Sequence, residues 1–155
     1  MAARSAGLLL FRERDGRFEV LLGHPGGPLW ARKDDGAWSI PKGEVEGDEA
    51  EIDAARREFR EETGFEATGD PLPLGEARLK SGKRIVAFAV RGDADPSALR
   101  SGTFEMEWPP RSGRRATFPE LDRVAWFDLA TARTKLNAGQ VPFLDRLEAA
   151  RAGLP

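Results

Sequence analysis

Three glutamates, Glu58, Glu61 and Glu62, stand at i, i+3 and i+4 near the end of the stretch WSIPKGEVEGDEAEIDAARREFREETGF, which runs from Trp38 to Phe65. On a helix they fall within an arc of roughly 100°, so three carboxylates share one side. The stretch predicts such a helix over Asp48 to Thr63. Asp48 is a good N-cap, with Glu51 three residues on to reach back. Gly64 follows the last turn, where a left-handed residue is wanted. Ile52, Ala55 and Phe59 form the stripe to be buried. The glutamates then sit at the negative end of the helix dipole, which costs roughly 0.3–1 kcal/mol each. The like-charged pair Glu58 and Glu62 adds roughly 0.2–0.5 kcal/mol, partly offset by Arg56, Arg57 and Arg60. Clustered carboxylates suit a hard divalent cation, which takes oxygen ligands and bridges to substrate phosphates. The plain alternative is a solvated charged face.

The spacing around the glutamates favours the first reading. Gly43, five residues, Glu49, seven residues, then Arg57-Glu58-Phe59-Arg60-Glu61-Glu62-Thr63-Gly64-Phe65 resembles the Nudix box without a departure. The resemblance implies a metal-dependent pyrophosphohydrolase, acting on a nucleoside diphosphate linked to another group. It implies Glu58 and Glu62 as metal ligands and Glu61 as a ligand or the base. Arg57 would orient a glutamate, and the backbone carbonyl of Lys42 would complete the metal shell, with Lys42 also at the substrate. The implied cofactor is magnesium, with manganese as an alternative. Phosphoryl transfer needs charge neutralised on the phosphate oxygens and a water in line; Glu61 or Glu120 would take its proton. Glu120 lies six residues before Trp126, similar to a downstream glutamate in the dinucleoside tetraphosphate hydrolase branch.

The opening AGLLLFR and the WSIPKGEVE lead also resemble that branch. A purine stacked on an aromatic ring is then expected, with Phe88, Trp30 and Phe118 as candidates against their reading as core. The chain departs from the branch in having no tyrosine and in its long basic PPRSGRR segment. Nucleoside triphosphate pyrophosphohydrolase and removal of pyrophosphate from RNA 5′ ends stay open. So does a non-catalytic nucleotide-binding module, although every carboxylate of the box is present.

Composition narrows the setting. The 155 residues suit one domain spanning 1–155. A net charge of −2 supplies no field toward nucleic acid or membrane. No cysteine and one histidine rule out disulfides, thiolate zinc sites and a histidine metal site. Leu8 to Phe11 is too short for a signal-peptide core, and no run approaches a membrane span. The expected setting is cytoplasmic, with a small-molecule nucleotide as substrate and neither membrane nor stably bound nucleic acid as partner.

The elements that must hold these residues follow in order. Ser5 to Glu13 reads as a central strand buried on both faces, joined through Asp15-Gly16 to a second strand over Phe18 to Gly23. His24 to Gly36 reads as loop; His24 is either structural or a phosphate donor, and Trp30 and Trp38 either pack or stack. Strands are expected near Leu74 to Leu79, over Lys83 to Arg91, over Thr103 to Trp108 and over Arg123 to Asp128. Pro109 to Thr117 reads as a basic loop whose Arg111, Arg114 and Arg115 either clamp phosphate or tip a solvated hairpin. Helices are expected over Leu129 to Leu136 and Pro142 to Arg151. The order predicts a mixed sheet with helices on both faces, in agreement with the α/β/α sandwich that the resemblance implies.

Overall fold

The computed structural model describes residues 4–154. Strand β1 (Arg4–Arg14) is the centre of a six-stranded mixed sheet. Every residue from Ser5 to Phe11 is buried, and the continuous apolar run Leu8 to Phe11 covers both faces. A hairpin through Asp15 and Gly16, both left-handed at φ 52° and 76°, leads into β2 (Arg17–Pro25). Two positive φ values give the turn the twist of its flanking strands. β1 and β2 pair only from Phe11↔Val20 to Arg14↔Arg17. Beyond that they part, and the short β3 (Lys42–Glu44) enters the split against Ser5, Ala6 and Gly7. Ser39 and Gly23 exchange backbone hydrogen bonds at 2.8 and 2.9 Å. The Val45 amide donates to Arg4 at 3.0 Å. The segment from Ser39 to Val45 therefore straps β2 to β1.

Helix α1 (Glu51–Thr63) follows, then β4 (Leu72–Arg78), β5 (Arg84–Arg91), β6 (Thr103–Glu107), β7 (Arg115–Pro119), β8 (Leu121–Asp128), α2 (Leu129–Lys135) and α3 (Val141–Ala150). The sheet order is β4-β5-β1-β2-β8, parallel only between β5 and β1. β6 and β7 form a separate hairpin. Helix α1 covers one face, packing Ala54, Ala55 and Phe59 on Ala6, Leu8, Leu10, Leu21 and Val90. Helices α2 and α3 cover the other, with Phe143, Leu144 and Leu147 on Leu9, Phe11, Val20 and Ile85. Each of the Leu, Ile, Val and Phe side chains removed from water stabilises the fold by roughly 1.5–3 kcal/mol. Among the described residues, no helix is long and apolar enough to cross a membrane.

Four local expectations are corrected. Helix α1 starts at Glu51, with Ala50 at the cap position and no capping side chain. Asp48 lies instead in the turn made by left-handed Gly47 and closed by the Glu49 amide on the Glu46 carbonyl at 2.9 Å. Ile52 is half-buried, and Ala54 takes the inner position beside Ala55 and Phe59. β2 runs on through His24 and Pro25. The supposed basic loop from Pro109 to Thr117 overlaps β7: Ala116 and Phe118 face Met106 and Phe104 across the hairpin, and only the tip is irregular.

Candidate active site

Arg57 is the hub of the glutamate cluster. Its guanidinium grips both oxygens of Glu49, at 2.9 and 3.0 Å, and donates to Glu58 at 2.8 Å and Glu61 at 3.2 Å. A fifth bond reaches the Glu44 carbonyl at 3.0 Å, tying the helix to the end of β3. This uses the planar fork that a lysine lacks. Glu49, the residue just before the cap position, thus spends its carboxylate on Arg57 and on the Glu46 amide rather than on a helix cap. Arg57 holds the Glu49 carboxyl below its ordinary range.

Glu58 lies against Gly43 of β3. A Cβ at Gly43 would stand 2.0 Å from the Glu58 carboxylate. The glycine is required by that close approach, not by a left-handed backbone. Burial raises the pKa of Glu58, against the pull of Arg57. Glu62, one turn on, is pushed up to about 7, by burial first and then by Glu120 and Glu58. Two like-charged carboxylates beside a partly buried third are a set that a cation would relieve. Lys42 supplies part of that charge. Burial and the neighbouring Lys83 lower its own pKa, while Glu62, Glu58 and Glu120 raise it.

Lys42, Glu62 and Glu120 line one cavity of about 150 Å³, together with Ser39, Pro41 and Leu121. Glu120 is the single residue between β7 and β8. Backbone bonds fix it from two sides: its amide donates to Gly102 at 2.8 Å, and its carbonyl accepts from Gly26 at 2.9 Å. The Gly102 amide in turn donates to the Glu61 carbonyl at 3.1 Å. A continuous ladder therefore runs from the end of α1 through Glu120 to the glycine pair after β2. Glu61 itself is exposed and touches only Arg57 among the cluster.

The donors fit a hard divalent cation: carboxylate and carbonyl oxygens, with no thiolate. Gly43 leaves the space that Glu58 fills. Among the described residues, no three acidic or histidine side chains are placed to hold a metal alone. Magnesium bound through one or two carboxylates keeps water and phosphate oxygens as its other ligands.

The remaining candidates lie elsewhere. His24 is buried and engaged at both nitrogens, with Asp122 at 2.9 Å and the Lys33 carbonyl at 2.6 Å, so it does not face a phosphate. Trp38 is core, its Nε1 bonded to Asp34 at 2.8 Å. Phe88 packs with the α1-side core and lines neither the carboxylate cavity nor the one beside it. Phe118 packs against Phe104 within the hairpin, the ring centroids 6.0 Å apart and the planes tilted by 39°. Arg115 pairs with Glu105 at 3.5 Å, and both are exposed. Arg114 lies at the tip, six residues from Glu120, or roughly 20 Å along an extended chain. Lys83 is the residue that local reading misses. The parallel register Arg4↔Arg84 brings the start of β5 close enough for Lys83 to lower the Lys42 pKa, and nothing near Lys83 in the sequence signals it.

Comparison with known proteins agrees with this layout. A model of the NUDIX domain matches residues 1–147. An RNA pyrophosphohydrolase of Halorhodospira halophila is 29% identical over 127 residues, covering 70% of this chain and 63% of that protein. An uncharacterised 17.7 kDa protein of phage T4 is 35% identical over 91 residues, 57% of this chain and 59% of its own. The chain thus spans somewhat under two thirds of these relatives. The Caenorhabditis elegans Ap4A hydrolase in a binary complex shares the fold, with a TM-score of 0.67 at 21% identity over 99% of this chain and 100% of that one. With the family model matching residues 1–147 and the Arg57 cluster assembled beside Gly43, the chain belongs to the NUDIX domain family.

Proposed function

We propose that this protein is a divalent-metal-dependent hydrolase. It cleaves a phosphoanhydride bond in a nucleoside diphosphate linked to another group, most favourably a dinucleoside polyphosphate of the diadenosine tetraphosphate type. The observation that carries the reading is the Arg57 hub, which sets Glu58 against Gly43 with Glu62, Lys42 and Glu120 around one cavity. Glu58, Glu62 and the Lys42 carbonyl would hold magnesium, or manganese in its place, with Glu61 as a further ligand. When bound, the metal neutralises charge on the phosphate oxygens and acidifies the attacking water. Lys42 offers its ammonium to the same phosphates. Glu120, on the cavity wall and fixed by its backbone, takes the remaining proton; Glu61, held by Arg57, is the other candidate for that role. Arg114 and Arg115 stand far enough out to meet only the distal end of a long phosphate chain.

Removal of pyrophosphate from RNA 5′ ends is a second reading, favoured by the Halorhodospira relative over 70% of the chain. Hydrolysis of diadenosine tetraphosphate, nucleoside triphosphates and 5′-triphosphorylated RNA with magnesium, followed by chromatography of the products, separates the two. ATP and AMP released fastest from the dinucleotide are expected. Faster release of pyrophosphate from RNA would transfer the assignment. No magnesium-dependent turnover of any substrate would leave a nucleotide-binding module.

A further inference from the structure

His24 is the one histidine of the chain, and it is fully buried. The proposed chemistry gives it no task. Its Nδ1 lies 2.9 Å from a carboxylate oxygen of Asp122, and its Nε2 lies 2.6 Å from the Lys33 carbonyl oxygen. A carboxylate and a carbonyl only accept hydrogen bonds. Each of these bonds therefore needs a proton on the ring, and both close together only when the ring is an imidazolium. A buried cation needs a counter-ion. Asp122 is that counter-ion, and its side chain stays 31% exposed, so the carboxylate keeps part of its hydration. The Trp38 ring makes a T-shaped contact with the imidazole at 5.2 Å between centroids. Arg123 lies over that indole at 5.1 Å, and Asp34 accepts from its Nε1.

This clamp stands where the β2–β8 ladder breaks. The two strands pair as far as His24↔Arg123, and the register then slips to Pro25↔Leu121, leaving Asp122 as the extra residue. Proline has no amide hydrogen for the ladder, and a bulge re-aims the side chain of its extra residue. The His24–Asp122 bond spans the slip. Two residues before Asp122 is Glu120, on the wall of the carboxylate cavity. Two residues after His24 is Gly26, whose amide donates to the Glu120 carbonyl at 2.9 Å. The other side of the ring reaches Lys33, in the loop that Gly26 begins. That loop carries Trp30, 37% exposed, on a cavity of about 390 Å³ that shares Pro25 and Glu120 with the carboxylate cavity. One ring thus fixes both the strand end that supplies Glu120 and the loop that borders it. An apolar pair would seal the same gap at less cost in desolvation; the ionic pair adds direction.

We infer, resting on the proposed role of Glu120 as proton acceptor, that His24 is a positioning residue for the hydrolysis: as an imidazolium it ties the loop after β2, and through Asp122 the link that carries Glu120, into one unit. It touches neither phosphate nor metal and acts only through Glu120. Slack in the clamp displaces Glu120 and leaves the Glu58 carboxylate where Arg57 and Gly43 hold it. The effect therefore falls on kcat and not on KM.

The single histidine makes the test direct. In the metal-free parent labelled with nitrogen-15 histidine, chemical shifts at about pH 7 should show both ring nitrogens protonated. Asp122→Ala removes the counter-ion at a partly exposed site and should leave one nitrogen bare. In the same variant, hydrogen exchange of the Gly26 amide should quicken about tenfold. On diadenosine tetraphosphate with magnesium, its kcat should fall about tenfold with KM unchanged. Asp122→Asn completes the bond to Nδ1 through its amide group and should keep kcat within about threefold of the parent. A bare ring nitrogen in the parent, unchanged Gly26 exchange in Asp122→Ala, or equal loss of kcat in the two variants overturns the inference. Parental kcat in Asp122→Ala overturns it too and leaves the hydrolase reading standing. No turnover by the parent sinks the hydrolase reading and the positioning role with it, while ring protonation and Gly26 exchange decide separately whether the clamp exists.

Discussion

At the scale of the residue, the site depends on charges held closer together than water would allow. Gly43 shows how tight the tolerance is. Gly43→Ala places a Cβ where the Glu58 carboxylate now stands. The expected result is a loss of about 10²-fold in turnover, since a displacement near 1 Å at a positioned group costs about that much. The melting temperature should change little, because β3 has only three residues and none of them is buried. Parental activity in this variant would show that Glu58 need not lie against β3. Glu62 gives a second prediction, on stability. Its carboxyl is raised to about 7 in the folded, metal-free protein, against 4.5 ordinarily. The native state therefore binds the proton more tightly than the unfolded state. That stabilisation is full below about pH 4.5 and is lost as pH rises through about 7. In a chelator the loss should be at most ~3 kcal/mol, and less after solvent screening of the exposed part. Urea midpoints at about pH 5 and about pH 8 measure it. Glu62→Gln should flatten the dependence, and magnesium should restore stability at the higher pH. A parent with no pH dependence in this window, or a variant with the same one, would refute the crowding of charge around Glu62.

At the scale of the element, what the sequence revealed was what is local. The i, i+3, i+4 glutamates and the left-handed Gly64 belong to one helix, and both were legible from spacing alone. The start of that helix was not, because Glu49 bonds to Arg57 eight residues on and leaves Ala50 at the cap position. β3 has only three residues and exists because β1 and β2 part in front of it. β7 has a weak local signal, because its two inward residues, Ala116 and Phe118, follow a turn-rich basic run and are identified only by their pairing with Met106 and Phe104. The hairpin carries its own prediction. If Arg114 and Arg115 clamp a long phosphate chain, the double change to alanine raises KM most for the longest polyphosphate, roughly tenfold. It should also make binding less sensitive to salt. Steady-state kinetics on a tetraphosphate-bridged dinucleotide and on a nucleoside triphosphate, each at two salt concentrations, decide it. Identical kinetics on both would leave the arginines as a solvated tip.

At the scale of the whole molecule, the mixed sheet with helices on both faces followed from the order of apolar runs, and the structure bears it out. What the order could not supply is which strand ends meet. The parallel register of β1 with β5 brings Lys83 to Lys42, and the hairpin of β6 and β7 brings Phe104 and Met106 to Trp30. Those meetings are set by packing over forty or more residues of intervening chain, and no local pattern encodes them. The same architecture makes the site a meeting of three supports: α1, the strap across the split sheet, and the residue between β7 and β8. In the proposed reading those supports hold the Glu58 and Glu62 carboxylates for a divalent cation. The most direct measurement is magnesium-dependent turnover of Glu62→Gln beside the parent, with circular dichroism to show that both are folded. Glutamine keeps the shape and removes the charge. Turnover should fall by more than about 10²-fold, with the fold intact; magnesium-dependent turnover close to that of the parent would contradict the metal site.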